Sequence, residues 1–123
     1  MRTILVVEDQ KDNRQILRDL LDSAGFGMIE AHDGAQAVAM ARSERPDLIL
    51  MDIQLPLVDG YEATRSIKRD PGLKHIPIIA VTSYALSGDE QRAFEAGCDA
   101  YVAKPYSPRH LLAKINQFLE PPQ

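Results

Sequence analysis

Five short apolar runs, spaced by longer amphipathic stretches, constrain this chain more than any other feature. They read TILVV at residues 3–7, GMIEA at 27–31, DLILMD at 47–52, IIAVT at 78–82 and DAYVA at 99–103. Most are near-continuously apolar rather than alternating, the pattern of strands covered on both faces. Between and after them lie the stretches expected to form helices. Residues 13–24 place Ile16, Leu17, Leu20 and Leu21 on one face, with Asp12 or Asn13 as cap and Gly25 at the C′ position. Residues 34–42 turn Ala37, Val38 and Ala41 inward. Residues 59–69 and the GDEQRAFEAG segment, stopped by Gly97, follow. Residues 107–119 begin with Ser107 as N-cap and Pro108 at the first helical position, with Leu111, Leu112, Ile115 and Leu119 toward the core. Strand and helix alternate five times, which predicts an α/β fold with a parallel sheet and helices on both faces.

At 123 residues the chain has the size of one domain, and its 45% hydrophobic and 26% charged content is ordinary for a globular protein. Net charge is −4, and the 14 Lys and Arg are scattered, so no basic face for nucleic acid is expected. The single cysteine, Cys98, excludes an internal disulfide and reads as a small buried hydrophobe. No secretory leader and no membrane span are expected, which points to a cytoplasmic domain. His32, His75 and His110 are widely spaced, with no Cys or carboxylate completing a ligand pattern, and read as surface residues. The glycines of GFGMIE precede a strand rather than follow one, so they do not make a dinucleotide loop.

In open α/β sheets, ligands bind beyond the carboxyl ends of the strands. The first strand ends in Glu8 and Asp9, the third in Asp52, and the fourth in Thr82 and Ser83; Lys104 and Pro105 follow the fifth. If these strands are neighbours, the groups converge. Three carboxylates held close repel, which is expected to raise their pKa values. A hard divalent cation such as Mg²⁺ relieves that repulsion. Lys104 adds a mobile charge suited to a phosphoryl oxygen, and Thr82 adds a hydroxyl. Together these are the parts for moving a phosphoryl group onto an Asp. Each has a plainer reading: Asp52 as a strand-end cap, Glu8 and Asp9 as solvated loop acids, Thr82 as a turn cap, and Lys104 as a surface lysine.

VVED ending the first strand, LILMDIQLP around Asp52, AVTS ending the fourth strand and YVAKP around Lys104 together resemble the receiver domain of two-component response regulators, the CheY-like family. The wording is closest to DivK-like single-domain regulators and to receivers of hybrid histidine kinases. The resemblance spans essentially the whole chain and implies a doubly wound five-stranded sheet of order 2-1-3-4-5, with residues 1–123 forming one receiver domain and no output domain. It implies that Asp52 accepts a phosphoryl group from a histidine kinase or histidine phosphotransfer protein. Mg²⁺ would be held by Glu8, Asp9, Asp52 and the backbone carbonyl of Gln54, with Glu8 acting mainly through water. Thr82 and Lys104 would contact the phosphoryl oxygens, Tyr101 would be the aromatic switch, and the Lys104–Pro105 bond would be cis. Gln54 and Tyr84 stand where side chains control water access. Downstream binding would use the face of helix 4, strand 5 and helix 5, in a monomer or weak homodimer. The chain would be no enzyme beyond self-catalysed phosphoryl transfer and autodephosphorylation.

Two other functions compete. A static adaptor would use the same fold without phosphate. A phosphatase with an aspartyl nucleophile needs a second Asp two residues on, where Gln54 stands. A DNA-binding regulator would need further residues for a helix-turn-helix.

Overall fold

A computed structural model describes residues 2–53, 55, 59–82 and 89–119. Five strands, β1 (Thr3–Val7), β2 (Gly27–Ala31), β3 (Leu48–Asp52), β4 (Ile78–Thr82) and β5 (Ala100–Ala103), form one sheet of order β2-β1-β3-β4-β5, every pairing parallel. Five helices alternate with them: α1 (Lys11–Ser23), α2 (Gly34–Glu44), α3 (Gly60–Arg69), α4 (Asp89–Ala96) and α5 (Pro108–Phe118). The predicted α/β architecture and strand order are therefore observed.

The unbroken apolar strands have the physical role expected of them. Every residue of β3 and β4 is buried. Alternate residues serve two cores. Leu5, Val7, Ile49, Met51, Ile78 and Ala80 pack under α2, α3 and α4, while Ile4, Val6, Leu48, Leu50, Ile79 and Val81 pack under α1 and α5. Chain reversal on both sides of the sheet is what places all five carboxyl ends along one edge.

Helix boundaries follow capping chemistry. Asp33, Asp59 and Ser107 accept hydrogen bonds from the third amide onward, at 2.8, 2.9 and 3.1 Å. Gly25 and Gly97 adopt positive φ after α1 and α4, and in α5 Leu111 and Ile115 are fully buried. The start of α1 differs from expectation. Gln10, not Asp12 or Asn13, is the cap residue, and its side chain makes no capping bond. Asn13 instead turns its amide toward Glu8 Oε1, at 3.5 Å. Ile16, expected on the buried face, is 61% exposed, because the core-facing stripe of α1 is Leu17 and Leu21. Among the described residues, no helix is long and apolar enough to cross a membrane.

Candidate functional site: an acidic cluster at the strand carboxyl ends

The central strand β3 and its neighbours β1 and β4 all end at the site. Glu8 and Asp9 follow β1, and the Glu8 amide extends the β1–β2 ladder by donating to Ala31 at 3.1 Å. Asp52 is the last residue of β3, and only 5% of it is exposed. Ligand oxygens of Glu8, Asp9 and Asp52 lie within 4.8 Å of one another. Glu8 is 3% exposed. Its Oε1 accepts from the Gln10 amide at 3.1 Å, and its Oε2 lies 3.3 Å from Lys104 Nζ. The same ammonium is 3.5 Å from Asp52 Oδ2. Thr82 ends β4 fully buried, and its carbonyl accepts from the Lys104 amide at 2.7 Å. The Lys104–Pro105 peptide is cis. Tyr101 sits in β5, half-buried against the core that carries α4. Gln54, Pro56, Ser83 and Tyr84 lie outside the described residues.

The electrostatics differ from simple repulsion. Burial pushes the Glu8 carboxyl up. A hydrogen bond with Asp52, the Lys104 charge and the Gln10 amide outweigh it and hold Glu8 below the ordinary carboxylate value. The expectation that crowding would raise its pKa is thus corrected for Glu8: the hydrogen bond with Asp52 and the Lys104 charge together outweigh its burial. Burial lowers Lys104, but Asp52 and Glu8 more than reverse this and keep it firmly charged. The cluster's donor set is all oxygen and carries more negative charge than one lysine cancels. That chemistry suits a hard divalent cation such as Mg²⁺.

A cavity of about 340 Å³ opens beside the cluster and runs between α1 and the start of α5, lined by Glu8, Asp52 and Lys104 at one end and Leu17, Leu20 and Tyr106 along it. Burial raises the Tyr106 phenol, with Lys104 acting against it.

Gly60 is a site-forming residue that the sequence reading passed over. A Cβ there would stand 2.5 Å from the Asp52 carbonyl oxygen and 2.7 Å from Ile53 Cα. Its amide donates to Ile53 at 3.1 Å, so the first turn of α3 is seated directly on the backbone that carries Asp52. The visible signal was Asp59-Gly60, a cap followed by a residue with no side chain.

Comparison with known proteins agrees with this geometry. The family model described as response regulator receiver domain matches residues 4–116. The polar-differentiation response regulator DivK of Brucella anthropi is 45% identical over 118 residues, 96% of each chain, and that of Brucella ovis is 44% identical over the same share. Among solved structures, the receiver domain of a Pseudomonas aeruginosa sensor histidine kinase, with a magnesium ion coordinated in its active site cleft, is 39% identical with a TM-score of 0.89, covering 95% of this chain and 96% of that one. The chemotaxis protein CheY4 of Vibrio cholerae is 28% identical with a TM-score of 0.90, covering 97% and 99%.

Proposed function

The chain belongs to the response regulator receiver domain family, and from that premise we propose that it is a phosphorelay switch in which Asp52 takes a phosphoryl group from the phosphohistidine of a histidine kinase or phosphotransfer protein. The observation that carries this reading is the buried Asp52 carboxylate held between two further acids and one lysine at the mouth of the sheet. Glu8, Asp9 and Asp52 would hold Mg²⁺, with the Gln54 carbonyl as a further ligand. When bound, the metal would neutralise charge between the attacking carboxylate and the incoming phosphoryl oxygens.

The chain's own residues do the rest. An Asp52 carboxylate oxygen bonds to phosphorus as the phosphorus–nitrogen bond breaks, and the electron pair stays with the departing imidazole, which takes up a solvent proton. Lys104 exchanges its contact with Asp52 for a phosphoryl oxygen, at little cost because its present contacts are long. The Thr82 hydroxyl donates to a second phosphoryl oxygen. Drawing Thr82 inward vacates room on the α4 side, and Tyr101 turns toward it. The output is protein contact through α4, β5 and α5, where Phe94 already stands exposed. The 45% identity to a DivK response regulator supports a signalling role. The chain on this reading releases no product of its own beyond hydrolysis of its phosphoryl group, and acts in the cytoplasm.

Incubation with Mg²⁺ and acetyl phosphate, followed by intact-mass measurement, tests the proposal. The expected result is a gain of one phosphoryl mass, dependent on Mg²⁺ and absent in Asp52→Asn. An equal gain in Asp52→Asn, or none in the unaltered chain, would overturn it.

A further inference from the structure

The loop bearing Glu8 and Asp9 is fastened by a side chain outside the acidic cluster. Arg14 lies in the first turns of α1, and its guanidinium Nη1 donates to the Glu8 carbonyl at 2.9 Å. Its amide donates to the Gln10 carbonyl at 3.0 Å, so one residue grips both ends of the loop. The Arg14 side chain is largely buried, and its Nε is 3.9 Å from Glu30 Oε2. The other Glu30 oxygen accepts from Arg18 Nη2 at 2.9 Å. Glu30 lies in β2, so the guanidinium is braced against the sheet. A planar guanidinium serves two acceptors at a fixed angle, which a lysine cannot do.

The Glu8 carbonyl and the Asp9 amide share one rigid peptide plane. Fixing the direction of that carbonyl fixes the rotation of the plane, and with it the direction in which Asp9 leaves the chain. Asp9 itself is exposed, so its aim depends on the backbone that carries it. We propose that Arg14, braced by Glu30, is a positioning residue for the cation site and aims Asp9 at Glu8 and Asp52 through the Glu8–Asp9 peptide. The inference rests on the metal site proposed above.

Simple charge predicts the opposite effect. Removing a positive group near a cation site should tighten cation binding, whereas loss of aim should weaken it. The sign of the change therefore separates the two. Magnesium titration calorimetry on the full chain is the experiment, alongside hydrogen exchange at the Asp9 amide without metal. Arg14→Met should weaken Mg²⁺ binding about tenfold, the scale of lost support around a metal ligand. Arg14→Lys, which keeps the charge and loses the fork, should weaken it less. Both should speed Asp9 amide exchange. Wild-type or tighter affinity in folded Arg14→Met overturns the positioning role, even if its melting temperature falls. If Arg14→Met does not fold, the same outcome in Arg14→Lys overturns it. Failure of the unaltered chain to bind Mg²⁺ removes the metal site and this role together, whereas normal binding with unchanged variants removes this role alone.

Discussion

Two lysines stand at opposite ends of the same sheet, and they are bonded in different ways. Lys68, at the amino-terminal end of β4, donates to the carbonyls of Lys74 at 3.1 Å and Ile76 at 2.8 Å and to Asp99 Oδ2 at 2.9 Å. Its three donors all have near-ideal partners. The same Asp99 oxygen accepts from the Ile78 amide at 2.8 Å, and the Lys68 stem lies where a Cβ on Gly97 would strike it at 2.8 Å. Lys104, at the carboxyl-terminal end, faces two carboxylates at 3.3 and 3.5 Å. The side chains are similarly sheltered, 18% and 22% exposed. Burial alone thus does not tell a clip from a working group. Saturated, short bonding marks the structural lysine. Long bonding to more acid than it can neutralise marks the one able to change partners.

Neutralising each lysine should break the comparison most sharply. Lys104→Met is expected to slow phosphorylation of Asp52 by about a hundredfold, the scale for losing one preorganised charge donor. Its loss of stability should be reversed by Mg²⁺, which replaces the missing positive charge; a stability loss unmoved by Mg²⁺ would put Lys104 in the structural class. Lys68→Met should behave inversely. Leaving Asp99 and two carbonyls short of a donor should cost roughly 2–3 kcal/mol in urea unfolding, untouched by Mg²⁺, with the phosphorylation rate of the folded fraction kept. A slowed rate in that fraction would show the two ends to be coupled.

A smaller effect sharpens the comparison on the structural side. Cys98, next to Asp99, has its thiol 3.8 Å from Thr64 Oγ1, and burial pushes it from 9.0 up to about 11. The folded pKa lies above the unfolded one, so this contribution is whole below about pH 9 and is lost as pH rises toward 11. At about 1.4 kcal/mol per unit, the chain should lose roughly 2 kcal/mol more than Cys98→Ala over that window. Parallel pH curves for the two proteins would show that the thiol is already solvated.

The sequence displayed the groups of the candidate site more clearly than their supports. Asp52, Thr82 and Lys104 were legible because an apolar run ending on a polar residue is a local pattern, and parallel topology then brings the ends together. Ser107, with Pro108, was legible for the same local reason. Arg14, Gly60 and Lys68 were not, because each acts on a backbone carbonyl across a chain turn between elements and carries no periodicity to mark it. The start of α1 differs for another reason: Asn13 is a good cap by type, but the helix already begins at Lys11, and the Asn13 amide nitrogen donates to Glu8 in the preceding loop. The lowered pKa of Glu8 was equally out of reach, since its counter-charge, Lys104, lies 96 positions along the chain.

That separation has a consequence for how the protein is made. Glu8, Asp9 and Asp52 all come from the first half of the chain, whereas Lys104 is among the last residues to be made. Without the last strand and α5, those acids lack the ammonium that stands 3.3 Å from Glu8 and 3.5 Å from Asp52 in the complete fold. The last strand brings the missing charge. On the phosphorelay reading proposed above, a chain ending before β5 would lack the lysine that meets the phosphoryl group, and it should respond weakly to its donor.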